Sequence, residues 1–310
     1  MSLNPILKSA LDSWTIPRAT VAMLLLTAAI YARGFGKLHM QMPERFSLRR
    51  LAAFMGGVAT LLIAIASPLA ALDDVLLQVH MIQHLLLMLV APVLILAGWP
   101  AIAMLRGLPP RVSRSVLVPI LRSRKVRALF SWLAEPIVAW IAFTAAIWIW
   151  HAPAAFQRAM RSENWHAFEH ACFFATALMY WWPVIQPWPS ARRWPRGAMI
   201  PYLVLADAQN SLLAALFTFS NHLLYPLYAS APRLGGISPL DDQIVAGAIM
   251  WVPGSLFFLI PAAIIMFQIL APRSLTIANS QIASAGGGSR AADSVARLIQ
   301  RRQTQTWPPQ

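Results

Sequence analysis

Long apolar stretches along this chain are separated by short, polar and mostly basic ones. Seven of the stretches reach the roughly 17–25 residues that a helix needs to cross a bilayer core. They cover about 16–32, 51–72, 76–97, 132–152, 166–186, 199–221 and 242–270. In hydrocarbon a helix satisfies its own backbone polar groups, so each stretch is predicted to be helical. Prolines inside the stretches (Pro68, Pro92, Pro183, Pro253 and Pro261) are expected as kinks that neighbouring helices tolerate. No internal repeat or soluble domain is visible. After Pro272, "ASAGGGSRAADS" and "RRQTQTWPPQ" read as a flexible polar extension. The expected architecture is an all-α polytopic membrane protein. Residues 1–272 would form a bundle of seven transmembrane helices, and 273–310 a cytoplasmic tail. The first twenty residues lack the basic–apolar–small pattern of a cleaved signal, so a mature end is expected there.

Composition sharpens this picture. The chain is 58% hydrophobic and 12% charged, against about 25% charged in ordinary globular domains. A net charge of +14 suits either a nucleic-acid face or basic loops beside membrane spans, and placement decides between them. Twenty of the 25 Lys and Arg residues fall in the 32–50, 98–131 and 187–198 segments and the tail. The alternate segments hold only Lys8, Arg18, Arg158, Arg161 and Arg233. Positive residues collect on the cytoplasmic side, which puts the N-terminus outside and the C-terminus in the cytoplasm. The charge is thus a topology signal, and no nucleic-acid partner is expected.

This orientation gathers the unusual polar residues on the outer face. His80 and His84 begin the third stretch in "HMIQHLLLMLVAP", His151 ends the fourth, and His166 and His170 open the fifth in "HAFEH". His222 closes the sixth, and Asp73, Asp74, Glu163, Glu169, Asp241 and Asp242 lie on the same side. Residues four apart share a helix face, so His80/His84 and His166/His170 are aligned pairs. Ionisable groups at membrane depth are costly and mark function. Neutral imidazole suits copper and zinc, and thioethers favour Cu(I). Met88 follows His84 by four and extends its face, whereas Met81 is rotated about 100° from His80. Asp241, Asp242 or Glu169 would orient an imidazole by accepting its second N–H, or would serve as helix caps.

Other chemistries remain in view. "HAFEH" matches H-x-x-E-H, the inverted zinc-peptidase motif with the glutamate as base, so an intramembrane zinc-dependent hydrolase is one alternative. Histidines on different helices facing each other as haem ligands are another. The lone Cys172 excludes an internal disulfide framework and is expected buried. "AGGGSR" is not placed as a phosphate loop.

Three segments in order carry a family resemblance: "HMIQHLLLMLVAPVLILAGWP" (80–100), "WHAPAAFQRAM" with "HAFEHACFFATALMYWWPV" (150–184), and "PLDDQIVAGAIMWVPG" (239–254). Together they resemble the CtaG family of seven-span cytochrome c oxidase assembly factors. The resemblance implies a non-enzymatic role in maturing a haem–copper oxidase in the bacterial inner membrane, with copper as Cu(I) inserted from the extracytoplasmic side. The implied partners are oxidase subunits and a periplasmic copper chaperone, within the lipid bilayer. The motif histidines His80, His84, His151, His166 and His170 are the implied metal ligands. Met88, Glu169, His222, Asp241 and Asp242 rank behind them.

Overall fold

The computed structural model describes residues 7–9, 12, 14, 16–190 and 194–285, with backbone alone for 272–285. Among these residues there are helices and no strand. Residues up to Ala262 form one compact unit, and those from Ala263 a second. The helices are α1 (Arg18–Gln41), α2 (Leu48–Ala66, followed by one turn at Leu69–Leu72) and α3 (Leu77–Ala97). Next come α4 (Pro100–Gly107), short helical turns across 110–122, α5 (Arg124–Leu133) and α6 (Pro136–His151). The last are α7 (Pro153–Met160), α8 (Glu163–Ile185), α9 (Met199–Phe219) and α10 (Pro239–Ala285).

Among the described residues, five stretches are long and apolar enough to cross a membrane: α1, Leu48–Leu72, α3, Arg196–Phe219 and Pro239–Ala271. The pair α5 and α6 meets the same test only when taken together, with a bend of 65° between the two helices. The expected 132–152 span is therefore interrupted, and Pro136 explains why. Its ring disfavours helical backbone at the preceding residue, and Glu135 is extended at φ −68°, ψ 126°. At 23 residues α8 is long enough but too polar to join the five. Past the expected end at 32, α1 continues to Gln41 and stops at Met42, immediately before Pro43. In the same way α10 runs through Pro272 to Ala285. The rest of the expected tail, 286–310, lies outside the described residues. Cys172, expected buried, is only partly so.

The most enclosed span is α3. Sixty-one per cent of its apolar window is buried, against 17–39% for the other four. It packs between α2 and α8. A Cβ on Gly57 would lie 2.6 Å from Ile95 Cγ1 and 2.9 Å from the Ile95 nitrogen, so only glycine allows α2 this close. Within α3, Pro92 has no N–H to offer the Met88 carbonyl four residues back. The helix widens there into a π turn over Leu86–Val90, where the Ala91 N–H donates to Leu86 O. The indole Nε1 of Trp181, on α8, donates to the freed Met88 carbonyl at 3.0 Å. The sequence anticipated a neighbour-tolerated kink at Pro92; the neighbour is α8.

At its far end α3 presents carbonyls that have no partner in the helix. Arg50 Nη1 donates to Ala97 O at 3.2 Å, and the Tyr31 hydroxyl to Gly98 O at 2.7 Å. The Arg50 guanidinium lies 3.2 Å from the centre of the Trp99 ring, and Tyr31 stacks on Phe54 at 3.7 Å.

Candidate metal centre

The first turn of α3 is fixed from a distant part of the chain. Its leading amides have no acceptor within the helix. The Asp242 carboxylate in the first turn of α10 accepts from Leu77 N–H at 2.7 Å and from Gln78 N–H at 3.2 Å. Gln83, in the next turn, donates through Nε2 to Ala64 O of α2 at 2.9 Å. These bonds set the rotation of α3, and that rotation aims His80 and His84 at α8.

The spacing of four then works as expected. The rings of His80 and His84 stand 4.2 Å apart, as do those of His166 and His170. The two pairs also meet each other, at 5.2 Å for His80–His166 and 5.7 Å for His84–His170. Between them sits Glu169, with Oε1 3.8 Å from His84 Nε2. On the other side Asp73 Oδ2 lies 3.9 Å from His166 Nε2. Ligand atoms of His80, His84 and Glu169 all fall within 4.8 Å of one another, and so do those of Asp73, His80 and His166. Atoms bound to one ion at about 2.0–2.1 Å stand at most about 4 Å apart. Small side-chain rotations would therefore let either group share an ion, with His80 common to both.

The donor set fits that role chemically. Both nitrogens of His80 and of His84, both carboxylate oxygens of Glu169, His166 Nε2 and His170 Nε2 are buried without a protein partner. Buried polar atoms are almost always paired, and leaving them unpaired is expensive. Eight such atoms lie in one place, and their nitrogen and oxygen chemistry is that of cation ligands. Asp73 lies in the loop just before α3; burial first, then the neighbouring Asp74, pushes its carboxyl up to about 7.

Two tyrosines of the segment between α9 and α10 brace the backbone around the cluster. Tyr225 donates to His151 O at 2.8 Å, and Tyr228 to Asp73 O at 2.7 Å. Phe156 of α7 stacks on Tyr225 at 3.8 Å and meets the His80 ring edge-on at 5.1 Å.

Several candidates lie elsewhere. His151 is buried 5.6 Å from His84, ring to ring, and like His170 belongs to neither ligand group; unlike His170, it is not on α8. His222 is exposed, its carbonyl accepting from Ser220 Oγ and Gln243 Nε2. Asp241 is exposed and takes the Ser238 hydroxyl at 2.6 Å. Asp242 is the cap of α3, since both its oxygens are engaged by backbone amides. Met88 is buried in the π turn beside His84, not in either group. Asp73, an outer acid by sequence, joins the ligand atoms only in the folded chain. The available signal was "LDDV", one short loop before His80.

Residues 29–271 match the family of cytochrome c oxidase caa3 assembly factors (Caa3_CtaG). Uncharacterized proteins of Mycobacterium bovis and Mycobacterium tuberculosis are each 28% identical over 256 residues, covering 80% of this chain and 38% of theirs. An uncharacterized protein of Mycobacterium leprae is 24% identical over 263 residues, covering 82% of this chain and 39% of its own. The chain thus spans about two fifths of the length of the curated relatives it matches. No solved structure matches it. The family match runs from within α1 to α10 and takes in every residue of the histidine cluster, so this chain belongs to the Caa3_CtaG family of cytochrome c oxidase assembly factors.

Proposed function

We propose that this protein handles copper during assembly of a cytochrome c oxidase, holding the ion as cargo among His80, His84, His166, His170, Glu169 and Asp73. The observation that carries the reading is the meeting of two histidine pairs from α3 and α8 with six of their eight ring nitrogens buried and unpaired. In this reading α5 with α6 counts as one span and α8 as another, which gives seven. The distribution of Lys and Arg then places the cluster toward the extracytoplasmic side of the bacterial inner membrane. Oxidase subunits are the recipients, and a periplasmic copper chaperone is the donor.

The geometry favours an ion over haem. The space that His84 and His151 border together is about 20 Å³, far below the roughly 300 Å³ at which pockets for organic ligands begin, and the space of about 470 Å³ on the other flank of His151 is lined by none of the paired histidines. The zinc-hydrolase reading draws on the position of Glu169 between the histidine pairs. It expects Glu169→Gln to keep its metal while losing turnover, whereas copper handling expects that variant to retain less copper.

The test is complementation in cells lacking this gene. His84→Ala should accumulate in the membrane yet give little oxidase activity and little copper in the oxidase, while His222→Ala restores both. Full oxidase activity with His84→Ala overturns the proposal.

A further inference from the structure

The enclosed space beside His84 and His151 is lined by neither His166 nor Asp73. It encloses about 20 Å³ and is lined by Met81, Met88, Met250, His84, His151 and Asn210, among apolar neighbours. A volume of about 10–15 Å³ already admits one water-sized particle, so the space takes one small ion and nothing larger.

Its chemistry is unlike that of the cluster above it. Met81 is fully enclosed, and Met88 and Met250 are buried. The His151 Nδ1 lies 2.8 Å from the Ile147 carbonyl. A carbonyl only accepts, so Nδ1 carries the proton and Nε2 keeps its lone pair. That Nε2 is buried without a partner, as are both nitrogens of His84. Asn210 Nδ2 donates to Met250 O at 3.0 Å, which ties α9 to α10 beside the third methionine. No acidic residue lines this space.

We infer that this space is a second metal subsite, built from the thioethers of Met81, Met88 and Met250 with His84 and His151, and selective for a monovalent soft ion such as Cu(I). Thioethers favour Cu(I), while carboxylates suit harder divalent ions. The carboxylate-bearing cluster and the methionine subsite share His84, so an ion passes between them by exchanging its other ligands around one imidazole. The inference rests on the copper reading above and extends it. It gives His151 a role that neither ligand group supplies.

The test uses the full chain purified in detergent and loaded with Cu(I) under reducing conditions. X-ray absorption at the copper edge should show sulfur as well as nitrogen neighbours. The Met81→Leu/Met88→Leu/Met250→Leu variant approximately preserves volume and should lose the sulfur signal. Its Cu(I) affinity, read by competition with a chromogenic chelator, should fall by about tenfold or more, the low end of the loss seen even for outer-shell partners. Zn(II) binding should be unchanged. Copper bound by the unmodified chain with nitrogen and oxygen neighbours alone overturns the subsite and leaves the copper reading standing. A sulfur signal that survives in the variant also overturns the subsite. Failure of the unmodified chain to bind Cu(I) at all overturns both. The spectrum of the unmodified chain decides the matter even if the variant does not fold.

Discussion

The two ends of α3 are built on opposite principles. At the Ala97–Trp99 end, polar groups are matched: Arg50 and Tyr31 take the last carbonyls, and the guanidinium lies flat on Trp99. At the His80–His84 end, roughly 25 Å away at about 1.5 Å per residue, four ring nitrogens are buried without partners. One helix thus carries a region in which hydrogen bonding is complete and another in which it is deliberately incomplete. A paired polar group stabilises the fold, whereas an unpaired buried one destabilises the fold unless a ligand satisfies it. The contrast separates the residues that hold the bundle together from those whose polar groups the bundle itself leaves unsatisfied.

That separation can be broken most directly at the matched end. Tyr31→Phe leaves the Gly98 carbonyl without its hydroxyl donor. It should destabilise the detergent-purified protein by about 1–3 kcal/mol, read as thermal loss of helical circular dichroism. Its effect on oxidase assembly should be no greater than that loss of stability explains. Asp242→Ala stands between the two cases, because Asp242 caps α3 just before the histidines. Removing such a cap should cost about 0.5–2 kcal/mol, and bound copper should fall with it. His80→Leu with His84→Leu should have the smallest effect on stability and the largest on function. Apolar replacements of similar shape at unpaired polar sites are nearly neutral or stabilising, so unfolding should shift by less than about 1 kcal/mol while copper retention is lost. If the double variant instead unfolds like Tyr31→Phe, the histidines are structural and the contrast is wrong.

Much of the fold was legible because the physics of membrane helices is local. The apolar runs became helical, although 132–152 is divided between two helices, with ends set by nearby residues such as Pro43 and Pro136. The i, i+4 spacing was legible for the same reason, and it placed each histidine pair on one face. What escaped were long-range pairings. Nothing near Asp242 says that its carboxylate caps a helix 165 residues earlier, since any helix start offers similar amides. Helix periodicity turns Met81 away from the His80 face and so argues against it as a ligand. That reasoning assumes a helix with one inward face, whereas α3 is enclosed widely enough for a residue turned about 100° away to meet another interior space.

The braces of the cluster carry a consequence for the order in which the protein is made. Ribosomes deliver His80 and His84 first, and Tyr225, Tyr228 and Asp242 follow much later in the chain. Segments fold as they appear, N-terminal first. A nascent chain that has inserted α3 and α8 already owns its imidazoles but lacks the groups that fix His151, Asp73 and the start of α3. On the copper reading, loading competence therefore waits until the start of α10 has been made. Partial chains abandoned in the membrane would be poor scavengers of the ion.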